Sequence, residues 1–161
     1  MFYEPKKGHS LKIDPFKALI FPRPIGWVSS IDKNGVANLA PYSYFNAVAD
    51  EPPQIMFCSN GSSKHSKYKD SLSNILSTKE FVINFATSFT RNQMNISSKD
   101  FEPGEDEFYF SKLKKKKSKI VKTPSVKDSP VNLECKLIKT INLKSDSKKI
   151  STMVIGEVIG I

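Results

Sequence analysis

Bulky, β-branched and aromatic residues fall along most of this chain in short runs separated by turn residues, a pattern of strands rather than of long helices. The run Pro24 to Ile31 (Pro-Ile-Gly-Trp-Val-Ser-Ser-Ile) predicts a largely buried strand. Asp32-Lys33-Asn34-Gly35 predicts a hairpin turn, because Asn-Gly supplies the positive φ angles of a tight connection. A return strand is expected from Val36 to Leu39, broken by Pro41 ahead of the aromatic stretch Tyr42 to Asn46. Pro52-Pro53 closes that unit, and Gln54 to Cys58 predicts a short apolar strand.

The polar stretch Ser59 to Lys69 reads as a loop. Asp70 then stands where an N-cap belongs, and Leu72, Ile75 and Leu76 share one helical face. Glu80 to Phe85 predicts a strand and Phe89 to Ile96 a short helix. Ser97 to Pro130, with three prolines, Gly104 and runs of charge, is expected to be a long surface excursion with little regular structure. Val131, Leu133, Cys135, Leu137, Ile141 and Leu143 share one parity, interrupted at Lys139, as one face of a half-buried strand should. Asp146 and its neighbours turn the chain, and Met153 to Ile161 forms a last apolar strand. The fold class is therefore mainly β, a small antiparallel barrel with one or two inserted helices; an α+β sandwich is the alternative. Residues 1–20, with Pro5, Gly8 and several lysines, read as a loosely held lead-in, and 21–161 as one domain.

Composition supports one ordinary globular domain: 161 residues, 39% apolar and 25% charged. No run approaches the ~18 apolar residues of a membrane span. The net charge of +9 is concentrated in one place. Seven lysines (Lys112, Lys114 to Lys117, Lys119 and Lys122) fall in one acid-free stretch, and the remainder of the chain carries only +2. Such a run can dock an acidic partner or nucleic acid, but it lacks arginine and interleaved aromatics. It is more simply a solvated loop, partly neutralised by Asp100, Glu102, Glu105, Asp106 and Glu107 just before it.

Familiar catalytic constellations are missing: no phosphate-loop lysine motif, no dinucleotide glycine fingerprint, no metalloprotease helix. Cys58 and Cys135 lie at strand positions of inward parity and read as reduced core thiols of a cytoplasmic protein. With His9 and His65 the only histidines, no metal site is expected, and His65 reads as a solvated loop residue. Two segments concentrate chemistry. Asn38 to Asn46 packs amides, hydroxyls and three aromatics around a proline, which also suits a strand with an aromatic core face. Ser59 to Ser71 gathers hydroxyls and lysines at a helix start, where the dipole favours an anion, which also suits a capped helix beside an exposed loop.

In order, Arg23-Pro24-Ile25-Gly26-Trp27-Val28-Ser29-Ser30, Asn38 to Val48, Pro52-Pro53, Lys69 to Ile75, Glu80 to Asn84, Met94-Asn95, Ser129 to Cys135 and Gly156-Glu157-Val158 resemble the flavin reductase-like family, whose fold is the FMN-binding split barrel. The flavoredoxin-like subgroup is the most similar part of it. The resemblance implies a homodimeric split β-barrel holding FMN non-covalently in a cleft near the dimer interface. NADH or NADPH would pass hydride to the flavin, and electrons would leave to a second flavin, a metal centre or a protein acceptor. Ser29 and Ser30 would lie beside the flavin. Asn38, Ala40, Pro41, Tyr42, Ser43, Phe45 and Asn46 would line the ring, with Ser59, Lys69, Asp70 and Ser71 at the phosphate end. Ser71 stands where the family usually has threonine, which keeps the hydroxyl. Related chains usually continue beyond the strand at Gly156-Glu157-Val158, whereas this sequence stops at Ile161, so the expectation is either a shortened protein or an incomplete chain, with dimerisation or turnover weakened. Two rival readings are an FMN electron carrier reduced by a redox partner, and a flavin-free binding module docking through Lys112 to Lys122. In the flavoprotein readings the cofactor carries the difficult step, so no side-chain nucleophile is required.

Overall fold

The structure, a computed structural model, describes residues 2–63, 66–102, 104–145 and 150–161. The expectations for His65 and for a turn at Asp146 lie outside the described residues. After a single 3-10 turn at Pro5–Lys7 and the short helix α1 (Pro15–Leu19), the order is β1 (Gly26–Ile31), β2 (Ala37–Tyr42), β3 (Phe45–Asp50), β4 (Pro53–Asn60), α2 (Asp70–Thr78), β5 (Glu80–Asn84), α3 (Arg91–Ile96), α4 (Glu107–Phe110), β6 (Lys115–Lys116), β7 (Ser125–Val126), β8 (Asn132–Asn142) and β9 (Ser151–Gly160). Seven strands form one antiparallel sheet in the order β2-β1-β5-β8-β9-β4-β3, curled into a half-barrel, and β6 pairs with β7 separately.

The β1–β2 hairpin forms where Asn-Gly requires it. Gly35 has φ +84°, and Asp32 Oδ1 accepts the N–H groups of Asn34 and Val36, both at 2.8 Å. Adjacent residues on a strand point to opposite faces. Trp27 and Val28 accordingly enter two different apolar clusters. Val28 packs with Phe57, Phe81, Ile83, Val154 and the α2 residues Leu72 and Ile75. Trp27 packs with Leu39, Phe108, Leu113 and Val126. The sheet is thus buried on both faces near β1.

Pro41 does not end its strand: β2 runs through it to Tyr42, with Pro41 opposite Trp27 and Tyr42 opposite Gly26 of β1. β2 is an edge strand with a neighbour on one side only, where proline is tolerated. The aromatic stretch divides at Ser43-Tyr44 into the end of β2 and the start of β3, and Cys58 N–H donates to Tyr44 O at 2.9 Å across that corner. Lys69, rather than Asp70, is the N-cap of α2, because Ser73 N–H already bonds Lys69 O at 3.0 Å; Asp70 opens the first turn.

The largest correction concerns 97–130. It is a packed layer containing α4, β6 and β7, with Phe108, Leu113, Val121 and Val126 buried. These apolar anchors stand several residues apart among lysines that point outward, so no periodicity betrays them. Distant carboxylates satisfy its backbone. Glu134 accepts the N–H groups of Lys119 (2.7 Å), Ile120 (2.7 Å) and Val121 (3.0 Å), and Glu80 Oε1 accepts those of Lys122 (2.6 Å) and Thr123 (3.0 Å). From the acidic stretch, Asp106 pairs with Lys115. The single parity expected for β8 holds only around Cys135: Val131 before the strand is exposed, and so are Ile141 and Leu143 beyond a register shift against β9 after Leu137.

Candidate functional site

A cleft of about 230 Å³ opens where β2, β4 and the start of α2 face the 97–107 stretch. β2 and its corner contribute Asn38, Ala40, Pro41, Tyr42, Ser43 and Tyr44; β4 contributes Cys58 and Asn60. Ser63, Lys69, Asp70 and Ser71 come from the loop and the helix start, and Ser97 to Phe101 with Glu107 form the opposing wall.

A buried polar chain organises the floor. Asn38 Nδ2–H donates to Glu107 Oε1 at 2.5 Å, and Leu39 N–H donates to Glu107 Oε2 at 2.9 Å. Asn38 Oδ1 accepts the Ser71 hydroxyl at 2.6 Å and the Ser30 hydroxyl at 3.4 Å, while Asn74 Nδ2–H donates to Ser30 Oγ at 3.2 Å. One carboxamide therefore ties β2 to β1, α2 and α4. Burial pushes the Tyr42 phenol, beside Ser71 and Ser59, up to about 12, so it stays a neutral hydroxyl. Burial also raises the Cys58 thiol. Cys58 is buried as expected and also lines the cleft, whereas Cys135 is wholly internal and is pushed up to about 12 by burial.

At the other end, α2 begins without a side-chain cap, and its first-turn N–H groups have no intrahelical partner by construction. Lys69 stands at that end, and Ser63 Oγ in the lining has no hydrogen-bond partner among the described residues. Donors and a cation at a helix start suit an anionic group. Among the described residues, no three metal-ligating side chains converge.

Of the site residues named from sequence, Asn38, Ala40, Pro41, Tyr42, Ser43, Lys69, Asp70 and Ser71 line this one cleft. Five others lie outside the lining. Ser29 is internal, its hydroxyl donating to Pro124 O at 2.7 Å. Ser30 lies one hydrogen bond behind Asn38. Phe45 belongs to the apolar core, Asn46 is exposed on β3, and Ser59 is buried beneath the floor at 1% exposure. The sequence reading missed Glu107 and the Ser97 to Phe101 wall. Phe101 stacks on Phe110, ring centroids 4.9 Å apart at 21°. One signal for Glu107 was available: it alone of the acidic stretch directly precedes an aromatic triplet, Phe108-Tyr109-Phe110.

The sequence model of the flavin reductase like domain family matches residues 18–161, and the chain belongs to that family. It is 44% identical over 123 residues to a protein from Aquifex aeolicus, an alignment covering 76% of this chain and 62% of that one. The chain thus spans less than two thirds of that relative's length. Among solved structures, nitrilotriacetate monooxygenase component B from Bacillus cereus superposes with a TM-score of 0.87 at 31% identity, covering 99% of this chain and 80% of that one. A Shewanella frigidimarina protein with a split barrel domain superposes with a TM-score of 0.79 at 19% identity, covering 99% of this chain and 78% of that one. The fold is the split barrel.

Proposed function

We propose that the cleft holds FMN and that the chain is an FMN-binding oxidoreductase of the flavin reductase-like type, reduced by NADH or NADPH and passing electrons to a flavin, metal or protein acceptor. One observation carries this reading: Asn38 to Tyr44 and Lys69 to Ser71, distant in sequence, meet in a single cleft with an anion-favouring end. Family membership supports it independently. The donor set fits the cofactor. Lys69, the uncapped start of α2 and the Ser63 hydroxyl suit a ribityl phosphate, and the amide, hydroxyl and backbone groups of β2 suit the polar edge of a planar ring.

Bound FMN supplies the hydride-accepting chemistry. This chain's share is to hold and orient. Tyr42 presents an un-ionised hydroxyl, and Asn38 is locked by its partners on α2 and α4. Phe101 adds an aromatic side chain to the lining. Because the cleft is small against the ~300–1,000 Å³ of usual ligand sites, the ligand would extend along its open rim. A homodimer belongs to the same reading, supported by apolar side chains left at the surface, among them Val48, Phe89 and Ile138. So does a cytoplasmic setting, where the unpaired Cys58 and Cys135 stay reduced. Among the described residues, no helix is long and apolar enough to cross a membrane.

The visible spectrum tests it. Purified protein mixed with FMN should carry bound flavin bands that bleach on anaerobic addition of NADH or NADPH. Bands that persist would favour an electron carrier fed by a redox protein. No binding of FMN would overturn the assignment.

A further inference from the structure

Glu107 is the one carboxyl of the 100–107 acidic stretch that is buried, at 5% exposure, and it lines the cleft. Both of its oxygens are turned to β2, one onto the Asn38 carboxamide and one onto Leu39 N–H. Asn38 in turn accepts the Ser71 hydroxyl, so a charge at Glu107 is one side chain removed from the start of α2. Among the described residues, no lysine or arginine forms an ion pair with it. The titratable and charged groups that line the cleft with it are Tyr42 from β2, Tyr44 from the corner after it, Cys58 from β4, Lys69 and Asp70 at the start of α2, and Lys99 and Asp100 from the opposing wall. On its own helix, Asp106 is engaged with Lys115. Burial, with the negative charge of Asp70 added, lifts the Glu107 carboxyl to about 7, against the hydrogen bonds from Leu39, its own backbone and Asn38.

We propose that Glu107 is a further residue of the cofactor site, a carboxyl that takes up a proton when the cleft admits an anionic ligand and so makes the affinity for FMN fall as pH rises. This rests on the FMN reading. An anion entering the cleft adds like charge near Glu107 and disfavours its ionised form. By linkage, the ligand then binds the protonated protein more tightly. Protonated Glu107 keeps acceptor capacity for β2 and takes a negative charge out of the cleft lining. Affinity is full below the carboxyl's own titration and falls above it, by at most about tenfold per pH unit. The ligand's phosphate acts with the opposite sign. Its second ionisation, near ~6, favours binding to Lys69 as pH rises, so the two effects separate by direction.

The experiment titrates FMN into the full chain between pH 6.5 and 8.5, with calorimetry at pH 7.5 in two buffers of different ionisation enthalpy. The expected result is affinity that declines with pH, net proton uptake on binding, loss of both in Glu107→Gln, and return of the uptake in Glu107→Asp. FMN binding with flat affinity and no proton uptake overturns the role of Glu107 and leaves the cofactor reading standing. The same pH dependence in wild type and Glu107→Gln transfers the effect to another group. Failure to bind FMN at every pH overturns both. If Glu107→Gln does not fold, the wild-type proton count and Glu107→Asp decide the matter.

Discussion

Asn84 Oδ1 accepts the Val126 N–H at 2.7 Å, joining the middle of the main sheet to the small β6–β7 ribbon. The rest of that carboxamide is also used. Oδ1 accepts Asn132 Nδ2–H at 2.9 Å, and Nδ2 donates to Trp27 O at 2.9 Å and Ser29 Oγ at 3.1 Å. A fully buried, fully bonded amide thus couples β1, β5, β7 and β8. Replacing it by alanine strands several buried polar groups, each costing about 1–3 kcal/mol. Asn84→Ala should destabilise by about 3 kcal/mol and lower Tm by roughly 6–12 °C. A thermal melt within about 2 °C of wild type would show that water replaces the amide.

Gly156 lies under the Phe81 ring, and a Cβ there would stand 2.4 Å from Phe81 Cζ and 3.3 Å from Lys136 O. Gly156→Ala should cost about 1–3 kcal/mol by overpacking, and Phe81→Leu in the same chain should recover part of it. Denaturant midpoints for the three variants measure this. Equal midpoints for Gly156→Ala and wild type would mean that the sheet shifts freely.

Lys69→Ala should weaken FMN by about tenfold, the scale of one partly screened charge contact, while riboflavin, which lacks the phosphate, should bind both forms alike. Fluorescence quenching on titration reads both. Equal weakening for the two ligands would assign Lys69 a structural role instead.

Glu134 would be raised by its burial, but three N–H donors from Lys119, Val121 and Ile120, with the Lys119 charge, hold it below the usual carboxylate value. With a depressed folded-state pKa, its contribution is present above the unfolded value and lost as pH falls through the lower, folded one. Glu134→Gln should therefore speed amide exchange at Lys119, Ile120 and Val121 several-fold at neutral pH, about the effect of weakening one charge-assisted bond. Wild type should approach the same rates, corrected for intrinsic exchange, only in acid below the ordinary carboxylate range. Unchanged protection in the variant at pH 7 would refute Glu134 as the anchor of these three amides.

The strands with dense apolar patterning were legible: β1, its Asn-Gly hairpin, β4, β5 and β9 all follow from local sequence. β3 was not, because five of its six residues are exposed and only Phe45 turns inward. Pro41 misled because a sequence does not say which strand lies at an edge. The 97–130 layer misled because Glu80 and Glu134, which satisfy its backbone, lie outside it in the chain. The cleft was half legible. Runs such as Asn38 to Ser43 and Lys69 to Ser71 carry polar and aromatic groups visible locally. Glu107 is defined by burial against β2, and burial of a lone glutamate leaves no periodic trace.

The link between Asn38 and Glu107 spans 69 residues of chain, and that between Asn38 and Ser71 spans 33. Such contacts form late, since loop-closure entropy delays pairings of large sequence separation. Ligand capture by this cleft should therefore return with the other long-range pairings, such as β4 with β9, rather than with the local hairpins. Ligand present during refolding would then act as a thermodynamic latch, holding the finished state by mass action without hastening its formation.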